Sequence, residues 1–184
     1  VRRYIGFAGK AGAGKNYVAD IIENDLWKRE VTAEQIGFAG AVRREIEDVL
    51  GAYIPRLYEK PTPYEIRRLL QWWGTDFRRA EDPDHWVKRG MERAEDSVCD
   101  VVLFTDVRFR NETEAIRDRG GYVVLVTASE QARVRRIGVT PEHASEVVDF
   151  DFDFTIENSK DGVLPVVPPE LFSYLVTGEK GEST

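Results

Sequence analysis

Eight residues, Gly9-Lys10-Ala11-Gly12-Ala13-Gly14-Lys15-Asn16, constrain this chain more than any other stretch. They follow a short apolar run, Tyr4-Ile5-Gly6-Phe7-Ala8, and lead into a pattern that sets Val18, Ile21, Ile22 and Leu26 on one helical face. Strand, glycine loop and helix in that order are the setting in which G-x-x-x-x-G-K means a phosphate-binding loop. Each part has a physical task. Glycines let successive backbone N–H groups turn inward with no Cβ in the way. The helix directs its positive end at the phosphates, and Lys15 reaches the β- and γ-phosphates as a point charge. The competing reading, a glycine-rich turn with a solvated lysine, is weakened by the flanking strand and helix. One position departs from the pattern. The Ser or Thr that normally sets a hydroxyl on Mg²⁺ is Asn16 here, and Tyr17 is a poor replacement.

Size and charge narrow the class. The chain has 184 residues, 42% hydrophobic and 32% charged, enough for one soluble domain over residues 1–177 with a flexible tail over 178–184. Cys99 is the single cysteine, so no internal disulfide can form and the cytoplasm is the expected compartment. Beside Val101-Val102-Leu103-Phe104, Cys99 reads as core rather than nucleophile. No apolar run approaches membrane-spanning length and no signal-peptide core is visible, so no membrane partner is expected. A net charge of −7 argues against a broad nucleic-acid surface. Arginine outnumbers lysine 19 to 7, which suits bidentate phosphate recognition, although a GC-rich coding sequence gives the same bias.

Along the chain, a helix over Lys15 to about Glu30 is followed by a second strand at Glu34–Ala39. A helix with Val42, Ile46, Val49 and Leu50 inward then ends near Gly51. Tyr53 to Pro63 reads as a surface loop. Pro63 starts a helix that buries Ile66, Leu69, Leu70 and Trp73 and is halted at Gly74. Another helix begins near Asp82-Pro83 with Trp86, Val87, Met91 and Ala94 inward. Strands are expected at Asp100–Asp106, Tyr122–Thr127 and Asp153–Ile156, and helices at Asn111–Arg119, Ser129–Ile137 and Pro169–Val176. This alternation implies an α/β fold with a five-stranded parallel sheet covered on both faces, its sites at the strand C-termini. Only residues 41–100, between strands two and three, are helix-rich without a strand. They read as a helical insertion serving as a substrate cover.

Several polar groups then carry chemistry. Asp106 ends an apolar strand, where a carboxylate can hold Mg²⁺ or its water, or simply cap the next turn. Strand alternation puts Asp106 and Arg108 on one face and Val107 on the other. Arg67 and Arg68 diverge by roughly 100° on their helix, so only one faces a given ligand. Gln71-Trp72-Trp73-Gly74-Thr75-Asp76 offers a stacking surface beside a turn, with Trp73 at a core position. Arg133-Val134-Arg135-Arg136, before the Gly138 and Pro141 turn signals, reads as a cationic flap or a solvated helix end. His143, with one other histidine in the chain and no nearby cysteine, is structural or capping rather than a zinc ligand.

Taken together, Gly9…Lys15, Phe38-Ala39-Gly40-Ala41-Val42-Arg43, Arg67 through Asp76, His85-Trp86-Val87, Asp106-Val107-Arg108, His143-Ala144-Ser145-Glu146 and Asp153 through Asn158 resemble the bacteriophage deoxynucleoside monophosphate kinases. The resemblance spans about Ile5 to Gly162. It implies a P-loop NTPase three-layer sandwich with an adenylate-kinase-like core, ATP with Mg²⁺ as donor and a deoxynucleoside 5′-monophosphate (dNMP) as acceptor. By motif position Arg43, Arg67, Thr75, Trp86, Asp106 and Arg108 line the acceptor site. Gln71, Gly74 and Glu112 stand beside them, and Arg68 is the alternative to Arg67. Gly9, Lys10, Ala11, Gly12, Ala13, Gly14, Lys15 and Asn16 hold ATP together with Arg133 and Arg136, in a lid of about residues 129–142. Asn16 and Asp106 serve the metal, through water. For a phage chain the compartment is the host cytoplasm. The oligomeric state is open, a homodimer included.

The implied reaction is reversible transfer of the γ-phosphoryl group, with Lys15, Asp106 and Arg108 as the catalytic set. Alignment and charge neutralisation suffice, because the acceptor oxygen is already anionic. The rivals are another small-molecule kinase, such as one for dephospho-coenzyme A or a nucleoside, a nucleotide-dependent switch or motor, and a non-catalytic ATP-binding module.

Overall fold

All six residues of the first strand, β1 (Arg3–Ala8), are buried, as a strand in the middle of a sheet covered on both faces requires. The computed structural model describes residues 1–50, 54, 56–59, 62–137, 149–159 and 162–180. Its remaining strands are β2 (Ala33–Ile36), β3 (Val101–Val107), β4 (Tyr122–Thr127) and β5 (Phe154–Glu157). They form one five-stranded parallel sheet in the order β2-β3-β1-β4-β5. The helices are α1 (Lys15–Trp27), α2 (Phe38–Leu50), α3 (Tyr64–Gln71), α4 (Arg78–Glu81), α5 (His85–Asp96), α6 (Arg110–Asp118), α7 (Glu130–Ile137) and α8 (Pro169–Thr177). Among the described residues none is long and apolar enough to cross a membrane.

The chain divides into two compact units, residues 1–35 with 97–184, and residues 36–96. In the first, period-two alternation assigns the faces of β1. Ile5 and Phe7 join Val18, Ile22 and Leu26 of α1 and Leu171 and Leu175 of α8 in one fully buried cluster. Gly6 points the other way. A Cβ there would lie 2.6 Å from Ile116 Cδ1 of α6 and 2.9 Å from Val107 Cγ2, so those side chains fill the space. Cys99 is half-buried instead of core, because it precedes β3 and does not belong to it.

In the second unit the helical pattern starts earlier than the sequence suggests. Phe38 and Ala39 open α2 instead of closing a strand. Phe38, Ala41, Val42 and Ile46 recur at helical spacing and are all buried. Val49 and Leu50, expected inward, are exposed, because the cluster around Trp73 and Trp86 reaches only as far as Ile46. Leu57 is buried, although its segment reads as surface loop. Gly74 does not halt a helix. The backbone passes from α3 through a π-helical segment, Trp72–Phe77, directly into α4. The wider turn has a purpose in packing. The Arg78 N–H reaches back five residues to Trp73 O, and the Gly74 carbonyl accepts the Trp86 indole N–H at 2.7 Å. Gly51, Pro61, the Gly138 and Pro141 turn, His143 and the tail beyond residue 180 lie outside the described residues.

Phe38 packs where Gly90 of α5 leaves room. A Cβ at Gly90 would come within 2.4 Å of Phe38 Cε1 and 2.5 Å of Cδ1. We expect Gly90→Ala to destabilise the second unit by about 1–3 kcal/mol, since a buried ring must leave its place. Urea unfolding measures this, and an unchanged midpoint would mean that the ring repacks without cost.

Candidate active site

From Ala8 the backbone turns through Gly9, and a bond from Ala13 N–H to Lys10 O at 3.1 Å closes the loop on itself. Gly14 caps α1 in the left-handed region at φ 91°, a conformation glycine takes without penalty. The first bond inside α1 runs from Val18 N–H to Gly14 O at 3.0 Å. Earlier N–H groups of the first turn have no intrahelical acceptor and converge at the positive end of the helix, the geometry of an anion site. Lys15 opens the helix and donates to Gly9 O at 2.6 Å, with Lys10 O at 3.5 Å. Asn16 follows in the first turn with its side chain exposed.

The outer side of the loop is braced. Gly12 lies against the backbone of Arg133, where a Cβ would meet Arg133 O at 3.0 Å. Arg136 donates to Gly12 O at 3.2 Å, to Ala13 O at 3.5 Å and to Asn158 O at 2.9 Å. Asn158, buried just after β5, donates to Ala13 O at 2.9 Å. Arg133 is also buried, and its Nε has no hydrogen-bond partner among the described residues. Both arginines expected to serve ATP therefore belong to a helix packed on the loop. Nothing in local spacing around Asn158 signals its bond to Ala13, 145 residues away.

β3 is the neighbour of β1, and Val107 pairs with Ala8 after an irregularity between Gly6 and Ala8. Asp106 therefore stands at the C-terminal end of the strand beside the one that feeds the loop. Asp106 and Arg108 are half-buried and Val107 is buried, as alternation predicts. Glu112 is fully buried and accepts the N–H groups of Arg108, at 2.7 Å, and Phe109, at 3.1 Å. Its carboxylate thus fixes the backbone that carries Arg108 and caps the start of α6.

The second unit places the other expected residues. Arg43 is half-buried, its Nε donating to Leu57 O at 3.1 Å. Arg67 is half-buried, whereas Arg68 is exposed with its guanidinium 6.0 Å from the Tyr64 ring centroid. Gln71 and Thr75 are half-buried. Gly74 and Trp86 are buried and bonded to each other, the indole N–H donating to the Gly74 carbonyl. Trp73 is core, as its spacing predicts, and Trp72 is exposed, stacked on Phe77 at 5.6 Å. The anchor that sequence reading missed is Glu45. It accepts from Trp73 Nε1 at 3.0 Å, from Arg78 Nε and from His85 Nε2 at 2.7 Å. Burial alone would raise its pKa, but the three donors outweigh it and hold the carboxyl below its ordinary range. A cleft of about 510 Å³ between α2 and α5 is lined by Glu45, Trp86, Arg44, Asp48, Arg89 and Glu92, among others. It shares only Trp86 with the expected acceptor residues, and its mixed charges do not favour a phosphate.

A parallel sheet in this order, with a phosphate loop between β1 and α1, is the fold of a P-loop nucleotide-binding kinase. The family model for deoxynucleotide monophosphate kinase matches residues 42–151, and the chain belongs to that family. It is a kinase, a phosphotransferase. The matched segment does not include residues 9–16, so loop and family are separate observations. Among solved structures, shikimate kinase from Aquifex aeolicus is 13% identical, covering 95% of this chain and 94% of that one, with a TM-score of 0.45. APS kinase from Mycobacterium tuberculosis in complex with AMPPNP and APS is 15% identical, covering 87% and 90%, with a TM-score of 0.41. No curated protein matches by sequence.

Proposed function

We propose that the chain transfers the γ-phosphoryl group of ATP to a deoxynucleoside 5′-monophosphate, giving ADP and a dNDP. The observation that carries this reading is the loop of residues 9–16, with Lys15 and the first turn of α1 presenting donors at one point. The family membership supplies the acceptor class. Lys15 and the loop amides hold the donor phosphates and neutralise charge as it shifts to the leaving oxygen. Arg67 and Arg108 bind the acceptor phosphate through charge-assisted hydrogen bonds. Arg43, Gln71 and Thr75 orient the rest of the acceptor. The donor set of Asp106 and Asn16 fits Mg²⁺, which takes one or two protein oxygens, keeps its waters and draws charge from the phosphates. Asp106 would supply the negative charge and Asn16 a neutral oxygen to such an ion.

A coupled ADP-release assay with a panel of dNMPs tests the proposal. Turnover only with a dNMP supports it, whereas acceptor-independent hydrolysis or no turnover overturns it. Two variant predictions belong to the same assay. Arg67→Ala should raise KM for the dNMP about ten- to a hundredfold with KM for ATP nearly unchanged. Arg68→Ala, at an exposed position, should do little. The reverse ranking would put Arg68 at the phosphate. Asp106→Asn should lower kcat and shift the Mg²⁺ titration to higher concentration, since an amide keeps shape but not charge. An unchanged titration would leave Asp106 as a structural cap.

A further inference from the structure

We infer that Asn158 is a positioning residue of the phosphate loop, aiming the Gly14 N–H from behind. The inference rests on the loop being the donor-phosphate site. In a planar trans peptide the carbonyl and the next N–H point in opposite directions. Holding the Ala13 carbonyl on the outer side therefore turns the Gly14 N–H to the inner side, toward the phosphates. Asn158 Nδ2 is the closer of the two donors that hold it, at 2.9 Å in a buried setting, against 3.5 Å for Arg136 Nη1.

Asn158 is itself fixed from two directions. Its own N–H donates to Thr127 O at 2.8 Å, fastening the end of β5 to the end of β4. Its carbonyl accepts Arg136 Nη2 at 2.9 Å, and Nη1 of the same guanidinium reaches Gly12 O at 3.2 Å. Sheet, α7 and loop are thus joined through one residue. The match with Gly14 is steric as well. A Cβ at Gly14 would stand 2.2 Å from Asn158 Nδ2, so the amide occupies the space that glycine leaves. Without the amide donor, the Ala13 carbonyl has lost a partner in a buried place, and a turn of that peptide toward water would swing the Gly14 N–H off the phosphates.

Asn158→Ala and Asn158→Leu both remove the donor, and leucine keeps the branched shape. Binding of Mg·ADP is measured by calorimetry, beside KM for ATP and for the dNMP. The expected result is a Kd for Mg·ADP about tenfold higher or more, KM for ATP rising with it. KM for the dNMP should stay within about twofold, because the acceptor contacts are untouched. A general structural role would instead move both substrates together, and that result, or an unchanged Kd, overturns the inference. Should the variants fold poorly, the wild-type protein decides. The Asn158 side-chain amide protons should exchange slowly with solvent by NMR, and fast exchange in the folded enzyme overturns the inference. A wild-type protein that binds no Mg·ADP would sink the donor-site reading itself. That outcome is distinct from a wild type that binds and variants that bind equally well.

Discussion

Lys15→Ala should reduce kcat by about a hundred- to a thousandfold, the usual cost of removing one preorganised donor from a developing charge. The fold should survive. Lys15 is only half-buried, and its ammonium bonds to the carbonyls of Gly9 and Lys10, groups of the same loop that water can serve instead. The unfolding free energy should therefore change by less than about 1 kcal/mol. The position of Lys15 adds a second expectation. It opens α1 directly after the Gly14 cap, so its removal leaves the backbone donors of the first turn in place. Mg·ADP binding should weaken far less than turnover, because ground-state contacts through the amides remain while transition-state charge loses its cation. Single-turnover kinetics and calorimetry on the same sample separate the two. A folded Lys15→Ala with normal kcat would remove the loop from the mechanism.

The phosphate loop of this kinase is legible in sequence because its geometry is local. Loop, first turn and lysine occupy consecutive residues, and glycine spacing reports backbone geometry directly. Sheet and helix positions follow from apolar periodicity for the same reason, and Asp106, Val107 and Arg108 alternate as a strand demands. What escapes sequence reading is what long-range bonding decides. Glu45 reads as a polar residue on a helix, and its three donors come from 28 to 40 residues downstream. Asn158 meets Ala13 across most of the chain. The start of α2 is hard to read because Phe38-Ala39 after Gln35-Ile36-Gly37 looks like continued strand. What places Phe38 in the helix is its packing against Gly90, a contact between two segments. Gly74 misleads in the opposite sense. Glycine is a common helix terminator, yet here it stays helical in a π-helical register and serves as the acceptor for Trp86.

The second large effect is expected in the helical unit. Glu45→Ala should destabilise residues 36–96 by about 2–4 kcal/mol, since one truncation strands three donors in a largely buried place. The Trp73 indole, the Arg78 guanidinium and the His85 ring all end on this carboxylate. An ionised carboxylate can only accept, so His85 Nε2 must carry the proton between them. Trp73 lies in the π-helical segment, Arg78 directly follows it, and His85 opens α5, so Glu45 ties α2 to both. Glutamine is the sharper variant. It keeps the length, but its NH₂ faces donors and only one oxygen remains to accept, so it should recover part of the loss at most. The pH dependence provides an independent check. The folded carboxyl titrates below its ordinary value of 4.5, so protonating it costs the folded state more than the unfolded chain. Its contribution is whole above pH 4.5 and is lost as the pH falls through the lower folded value. Arg78 keeps its charge throughout that window. The difference in unfolding free energy between wild type and Glu45→Ala should therefore shrink as the pH falls from about 5 toward about 3, below the range in which the His85 ring ordinarily changes charge. Urea melts of both proteins across that range measure it. A difference that stays constant to pH 3 would mean that the charge on Glu45 contributes nothing to holding the unit together.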